Sequence, residues 1–293
     1  MAEVGIDALP PRATAWSMLR HNSRVWVGGS LVGLFGVVAV LAPWLAPQDP
    51  LWQDLFLYQM PPAWLPGSEP GYWLGTDSLG RDLLSRLIYG TQTALIVAGV
   101  AASAAALLGV LLGLLAGYFG GWVDGVISRL IDVWMAFPPV LLSIVLVAVM
   151  GAGLHSVIIA IAIIDWTRFA RVVRAEVLVQ KEQDYVASAV TIGLGRWRIL
   201  FGEVLPNVAP LVLVLFTMEM AIAVTVETIL SFVGLSVASD MPTWGGMIAE
   251  GRQVIYEAPW MMLMPIGCLI ALVLALNALG DGLRTALDPV LRR

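Results

Sequence analysis

Three carboxylates, Asp165, Glu219 and Glu227, stand inside long apolar runs, and few other residues of this sequence could do chemistry. Two histidines occur, His21 and His155, far apart, and the one cysteine, Cys268, lies in an apolar run. This inventory offers no cysteine metal site, no intrachain disulfide, no Ser/His pairing and no His-Glu box, so an intramembrane hydrolase is set aside. Nor is there a G-x-x-x-x-G-K loop followed by Ser or Thr, so no cofactor is expected in the chain and it consumes no ATP itself. A carboxylate at mid-membrane costs at least ~2.5 kcal/mol, which requires each to face protein or a water-filled cavity. Glu219, flanked by Met218 and Met220, is the candidate for a translocation path, where it would attract an ammonium or a cation. A protonated or hydrogen-bonded structural Glu is the competing reading. Asp165 precedes Arg168 at a helical ion-pair spacing.

The elements that must position these groups are membrane helices. Of the 293 residues, 59% are hydrophobic and 13% charged, about half the charge a water-facing surface carries. Six spans are predicted, at 25–46, 93–117, 129–150, 154–171, 208–232 and 258–280, each near the ~20 residues that cross ~30 Å of hydrocarbon. They must be helices, because lipid offers backbone groups no partners and the runs lack the alternation of barrel strands. The first span is too long for a signal h-region and reads as uncleaved. Placing both termini in the cytoplasm puts thirteen of the sixteen Lys and Arg residues inside, leaving Arg81, Arg86 and Arg252 outside. The divisions are then a cytoplasmic segment 1–24, the first span 25–46, a periplasmic loop 47–92, a five-helix core 93–282 and a tail 283–293. Within the core lie a cytoplasmic segment 172–207 and a periplasmic loop 233–257. The net charge of −5 argues against nucleic-acid binding.

Small residues recur at every fourth position of the second span, Ala101, Ala105, Gly109, Gly113 and Gly117, a ridge that lets another helix approach closely. Pro138-Pro139 falls inside the third span and predicts a kink. The loop 47–92, rich in Pro, Gly and Trp, predicts turns and extended pieces. Trp44 at the end of the first span and Trp52, Trp64, Tyr72 and Trp73 of this loop are either interfacial anchors or a docking surface shared with 240–259.

Segment 172–207 is the most informative. A short amphipathic helix opens at Lys181-Glu182-Gln183-Asp184, with Val186, Ala189, Val190 and Gly193 on one face and Asp184, Ser188 and Thr191 on the other. It breaks at Gly193, and a second short helix, 196–203, is predicted to end before Leu205-Pro206-Asn207. Such an elbow could pass a push from a soluble partner to the flanking spans, or lie idle on the membrane surface.

In spacing, Tyr185-Val186-Ala187-Ser188-Ala189, Gly193 and Leu205-Pro206 resemble the coupling signature of ATP-binding-cassette importer permeases. Nearly the whole chain from about Trp16 is similar to the second, "C"-type, permease of the dipeptide/oligopeptide/nickel group. The match includes Trp73 through Asp82 with Ser85, Arg86 and Gly90, then Gly117 through Gly121 with Asp124. Leu230-Ser231-Phe232 with Gly234-Leu235, Trp244-Gly245, Pro259-Trp260, and Asn277 through Pro289 complete it. Ala187 stands where the signature has Glu, Ser188 replaces its first Ala, Val190 stands where Arg is frequent, and Glu203 takes a position usually apolar or His. The family's charged contact to the ATPase would then be either weakened or rerouted through Glu182, Asp184, Arg196 or Arg198.

The resemblance implies an all-α type I importer permease with six transmembrane helices and cytoplasmic coupling helices, in a bacterial inner membrane. It implies a homologous second permease, two cytoplasmic ATPases that bind ATP and Mg, and a periplasmic or lipid-anchored solute-binding protein. Tyr185, Val186, Ala187, Ser188, Ala189, Gly193, Leu205 and Pro206 would couple to the ATPase, and Glu227 would be structural. Di- or oligopeptides are the expected solute, with nickel or metal chelates, opines or glutathione as alternatives. A stand-alone secondary transporter would show interrupted helices in two matching halves, which the sequence lacks.

Overall fold

The computed structural model describes residues 19–20, 22–236 and 241–287. Segment 1–18, His21, Asp240, Asp288, Pro289, Arg292 and Arg293 lie outside the described residues. Helices dominate and no strand occurs among the described residues; one isolated bridge, Thr76 to Asp82, marks the loop ahead of the long helix that begins at Leu83. In chain order the elements are α1 (Ser23–Val40), a short α2 (Ala42–Leu45), α3 (Leu83–Phe119), α4 (Gly121–Met135), α5 (Pro139–Met150) and α6 (Leu154–Lys181). After these come α7 (Asp184–Thr191), α8 (Arg196–Ile199), α9 (Leu205–Phe232), α10 (Trp244–Gln253) and α11 (Trp260–Leu287).

Among the described residues four helical stretches are long and apolar enough to cross a membrane, and the bent pair α4–α5 makes a fifth if it is one span. The remaining expected span lies in α6, whose 28 residues reach roughly 42 Å at 1.5 Å per residue, although it carries Asp165, Arg168 and Arg171. Helix α3 begins at Leu83, ahead of the span expected from 93, so the long loop closes sooner.

The small-residue ridge is where α3 meets α6. A Cβ on Gly109 would come within 2.3 Å of the Trp166 carbonyl, and one on Gly113 within 2.8 Å of the Ala170 carbonyl. No side chain fits there, so the two backbones approach as closely as helices can. The ridge therefore packs inside this chain. Around it Val97, Ala98, Ala101, Val157, Ala160 and Ile161 are buried with Val224 and Leu230 of α9 and Leu272 of α11.

Two expectations need correction. Pro138-Pro139 does not kink one helix; it separates α4 from α5, whose axes meet at 87°. Pro138 caps α5 from outside and Pro139 takes its first turn, where a missing N–H costs nothing, while both rings forbid continuation of α4. Nor does a second short helix end before Leu205-Pro206. Helix α8 runs through a π-helical turn, Leu200–Val204, straight into α9. In that turn the Leu205 N–H reaches Leu200, and the widened turn accommodates Pro206, which has no N–H and would crowd the carbonyl four residues back.

Candidate functional site

The elbow grows out of the end of α6. Helix α7 packs on the bundle through Val186 and Ala189, which are buried with Leu114, Tyr118, Val173 and Val177. Tyr185 is half-buried, its hydroxyl donating to Gln180 Oε1 at 2.8 Å, and burial pushes its phenol pKa up. Ala187, Ser188 and Thr191 are exposed, as the amphipathic pattern predicts. Val190 and Gly193, expected on the packed face, are instead exposed, Val190 by 59%; of that set only Val186 and Ala189 are buried. Gly193 ends the helix with φ +80°, the left-handed conformation open to glycine, and the Leu194 N–H closes back on the Ala189 carbonyl at 3.1 Å. Leu205 is half-buried and Pro206 exposed on the far arm.

Beside α7 lies a groove of about 460 Å³ lined by Tyr118, Phe119, Lys181, Val186, Ala187, Val190 and Arg196. Its apolar floor and two cationic rims face away from the core. Phe119 meets the Trp197 ring at a 59° tilt with centroids 5.1 Å apart, Trp197 stacks on Phe201 at 6.0 Å, and the three rings tie the second arm of the elbow to the end of α3.

A second concavity, about 500 Å³, opens on the side of the bundle between α5, α6, α9 and α11. Val140, Met218, Ala221 and Ile222 are among its apolar lining, with Ser143, Asp165, Arg168, Thr225 and Asn277 as polar groups. Asp165 pairs with Arg168 as its spacing predicts, at 3.8 Å, and Arg168 also comes within 4.0 Å of Glu219. The structure thus joins two carboxylates that the sequence presents separately. Glu219 is 3% exposed and stands behind the cleft's lining residues. Glu227 is fully enclosed, its Oε1 accepting hydrogen bonds from the Ser231 and Ser236 hydroxyls.

Sequence reasoning missed a third charged group, at the end of the bundle bearing the 47–82 loop. Arg81 and Arg86 both contact Asp77, at 2.6 and 3.0 Å, and both reach Glu250 on α10, at 3.0 and 3.3 Å. Arg81 and Arg86, the cations of the stretch that also holds Asp77 and Asp82, were the available signal; their second shared partner, Glu250, lies 169 positions from Arg81. The Trp244 indole N–H donates to the Leu87 carbonyl at 3.2 Å and completes the join of α10 to α3. Trp44, Trp52, Trp64 and Trp73 of this end are mostly exposed.

A groove beside an exposed elbow, a partly open cleft and a helical bundle define a membrane transport subunit, and comparison with known proteins agrees. The pattern described as "binding-protein-dependent transport system inner membrane component" matches residues 109–293. That described as "N-terminal TM domain of oligopeptide transport permease C" matches residues 11–62. The chain belongs to the family of binding-protein-dependent transport system inner membrane components, as a multi-pass permease. It is 39% identical over 282 residues to the di/tripeptide transport system permease protein DppC of Pseudomonas aeruginosa, covering 96% of this chain and 93% of that one. It is 36% identical to the dipeptide transport system permease protein DppC of Haemophilus influenzae, covering 97% and 96%. With the glutathione transport system permease protein GsiD of Salmonella typhimurium it shares 41% over 277 residues, covering 94% and 90%. A chain of the MetNI methionine ABC transporter, solved in inward-facing conformations, aligns at TM-score 0.58 and 18% identity. That alignment covers 70% of this chain and 98% of the other, and it shows the type I importer permease fold.

Proposed function

We propose that this chain is one of two permeases of an ATP-driven, binding-protein-dependent importer of short peptides. It lies in a bacterial inner membrane with both termini and the elbow in the cytoplasm. The homologous permease covers the cleft side of the bundle, so that the solute path runs between the two. Two cytoplasmic ATPase subunits bind ATP and Mg, and one of them seats the elbow. A periplasmic or lipid-anchored binding protein delivers the solute to the Trp-rich end. The observation that carries this reading is the elbow itself. Val186 and Ala189 root α7 in the bundle while Ala187, Ser188 and Val190 stand exposed beside a cation-rimmed groove. Its two arms continue directly into α6 and α9, so a force on α7 reaches the walls of the cleft. Peptide as solute is supported by the names of the relatives, and glutathione, itself a small peptide, belongs to the same class.

The test is co-expression with the second permease, the ATPases and the binding protein. A cysteine replacing Ser188 should react with a membrane-impermeant reagent only after the cells are opened, and should cross-link to an ATPase subunit. Gly193→Pro, which forces φ to about −65°, should lower peptide uptake at least tenfold while the chain still inserts. Labelling of intact cells, or full uptake with Gly193→Pro, would overturn the coupling role.

A further inference from the structure

The cleft holds one cation among its described lining residues, and no described residue accepts a hydrogen bond from its guanidinium. Arg168 approaches Asp165 at 3.8 Å and Glu219 at 4.0 Å, attractive for charge but beyond hydrogen-bond reach of about 3.5 Å. A guanidinium carries five N–H donors in a planar fork that matches a carboxylate two bonds at a time. Arg168 is therefore held from one side with its donors still open. Its side chain is 40% exposed and lines the cleft.

The surroundings point the same way. Asp165 and Glu219 are each 3% exposed, and Glu219 Oε1 has no hydrogen-bond partner among the described residues. They back the guanidinium without covering its outer edge. Ser143, Thr225 and Asn277 add neutral polar groups from three other helices, between apolar walls that include Val140, Met218 and Ile222. A cationic fork with open donors, set among apolar walls, suits an anion carried on an apolar body.

We propose that Arg168 is a carboxylate-reading group of the solute path. A peptide crossing the cleft presents its C-terminal carboxylate to the open edge of the guanidinium, and its side chains lie against Val140, Met218 and Ile222. Asp165 and Glu219 are hydrogen-bonded to each other, which takes a proton between them. The single negative charge they share competes with the peptide for Arg168, so the hold is brief, as conduction requires. This deepens the importer reading above and rests on it.

The test uses the full transporter, with second permease and ATPases, in nanodiscs without the binding protein, so that only the membrane part can discriminate. The probes are leucyl-leucine and leucyl-leucinamide, followed by direct binding. The wild type should hold the free acid about tenfold more tightly than the amide, equivalent to about 1.4 kcal/mol. Arg168→Gln should erase that preference, and Arg168→Lys, which keeps the charge without the fork, should retain part of it. Equal binding of acid and amide by the wild type, or an intact preference in Arg168→Gln, would overturn the inference. Should Arg168→Gln fail to assemble, the acid and amide comparison on wild type and Arg168→Lys decides alone. ATP-driven uptake of leucyl-leucine by wild-type proteoliposomes, with binding protein added, separates the two levels. No uptake removes the importer reading and this one with it; uptake without acid preference removes only this one.

Discussion

Arginine meets carboxylate in two buried places in this molecule, and the two are built to opposite standards. At the loop end, Arg81 and Arg86 converge on Asp77 and Glu250 with contacts of 2.6 to 3.3 Å, and both arginine side chains are nearly buried. In the cleft, Arg168 stays 3.8 and 4.0 Å from its two carboxylates and 40% exposed. The first arrangement pairs most of its donors at short range, with Arg86 Nε left unpaired among the described residues, and fixes α10 against the start of α3. The second leaves donors open toward a space large enough for a solute. A buried ion pair gives a fold little net stability over apolar packing, yet breaking one is expensive because a charge is stranded. The tight cluster is accordingly a place where one substitution should damage the fold, and the loose one a place where it should damage transport.

The largest expected effect follows from Asp77. It is 1% exposed, faces both arginines, and its Oδ1 also accepts the Leu79 and Arg81 backbone N–H groups. Asp77→Ala should cost about 3–5 kcal/mol by leaving two buried guanidiniums with the half-exposed Glu250 as their one remaining carboxylate contact, read as a fall in thermal stability of the purified complex. Glu250 is 37% exposed, so Glu250→Gln should cost only about 1 kcal/mol. Asp165→Asn in the loose cluster should cost less than ~1 kcal/mol, because its pair is long and its partner half open to solvent. If Asp165→Asn destabilised as much as Asp77→Ala, the contrast between the clusters would fail.

The sequence carried some of this openly. Apolar runs announce the membrane, the Gly109–Gly113–Gly117 repeat announces a close helix contact, and Gly193 after an amphipathic octet announces the elbow. Each of these is a local signal whose physics acts over one or two helical turns. Glu250 was illegible because its pairing with Arg81 and Arg86 exists only once α10 packs on α3. The link between Asp165, Arg168 and Glu219 was half legible: the first pair has helical spacing, whereas Glu219 arrives on another helix. Pro138-Pro139 signals a break but not its angle, since two helices can leave a proline pair in many directions. The π turn before Pro206 was hidden for a related reason. A proline shows that one hydrogen bond is lost, and the packed structure decides whether the helix stops or widens.

The smallest expected effect sharpens the comparison from inside the tight cluster's own neighbourhood. Asp82 caps α3, its Oδ2 accepting the Ser85 N–H at 2.8 Å and the Ser85 hydroxyl at 2.6 Å, while its buried Oδ1 has no partner among the described residues. Burial holds its carboxyl pKa above the ordinary aspartate value. A raised carboxyl pKa means the fold disfavours the anion. The associated stability is full below the unfolded value of about 3.9 and is lost as pH rises through the folded one. Asparagine keeps an oxygen for the cap and removes the charge, so Asp82→Asn should match or slightly exceed the wild type near pH 7, within about 0.5 kcal/mol. Any advantage should vanish near pH 3, where both side chains are neutral. Asp82→Ala, which loses the cap, should cost about 1 kcal/mol at either pH. Thermal unfolding of the three proteins at the two pH values makes the measurement. An Asp82→Asn loss of about 1 kcal/mol or more, confined to neutral pH, would mean that Arg81 and Arg86 draw on this anion too, and that the tight cluster extends one carboxylate further than its contacts show.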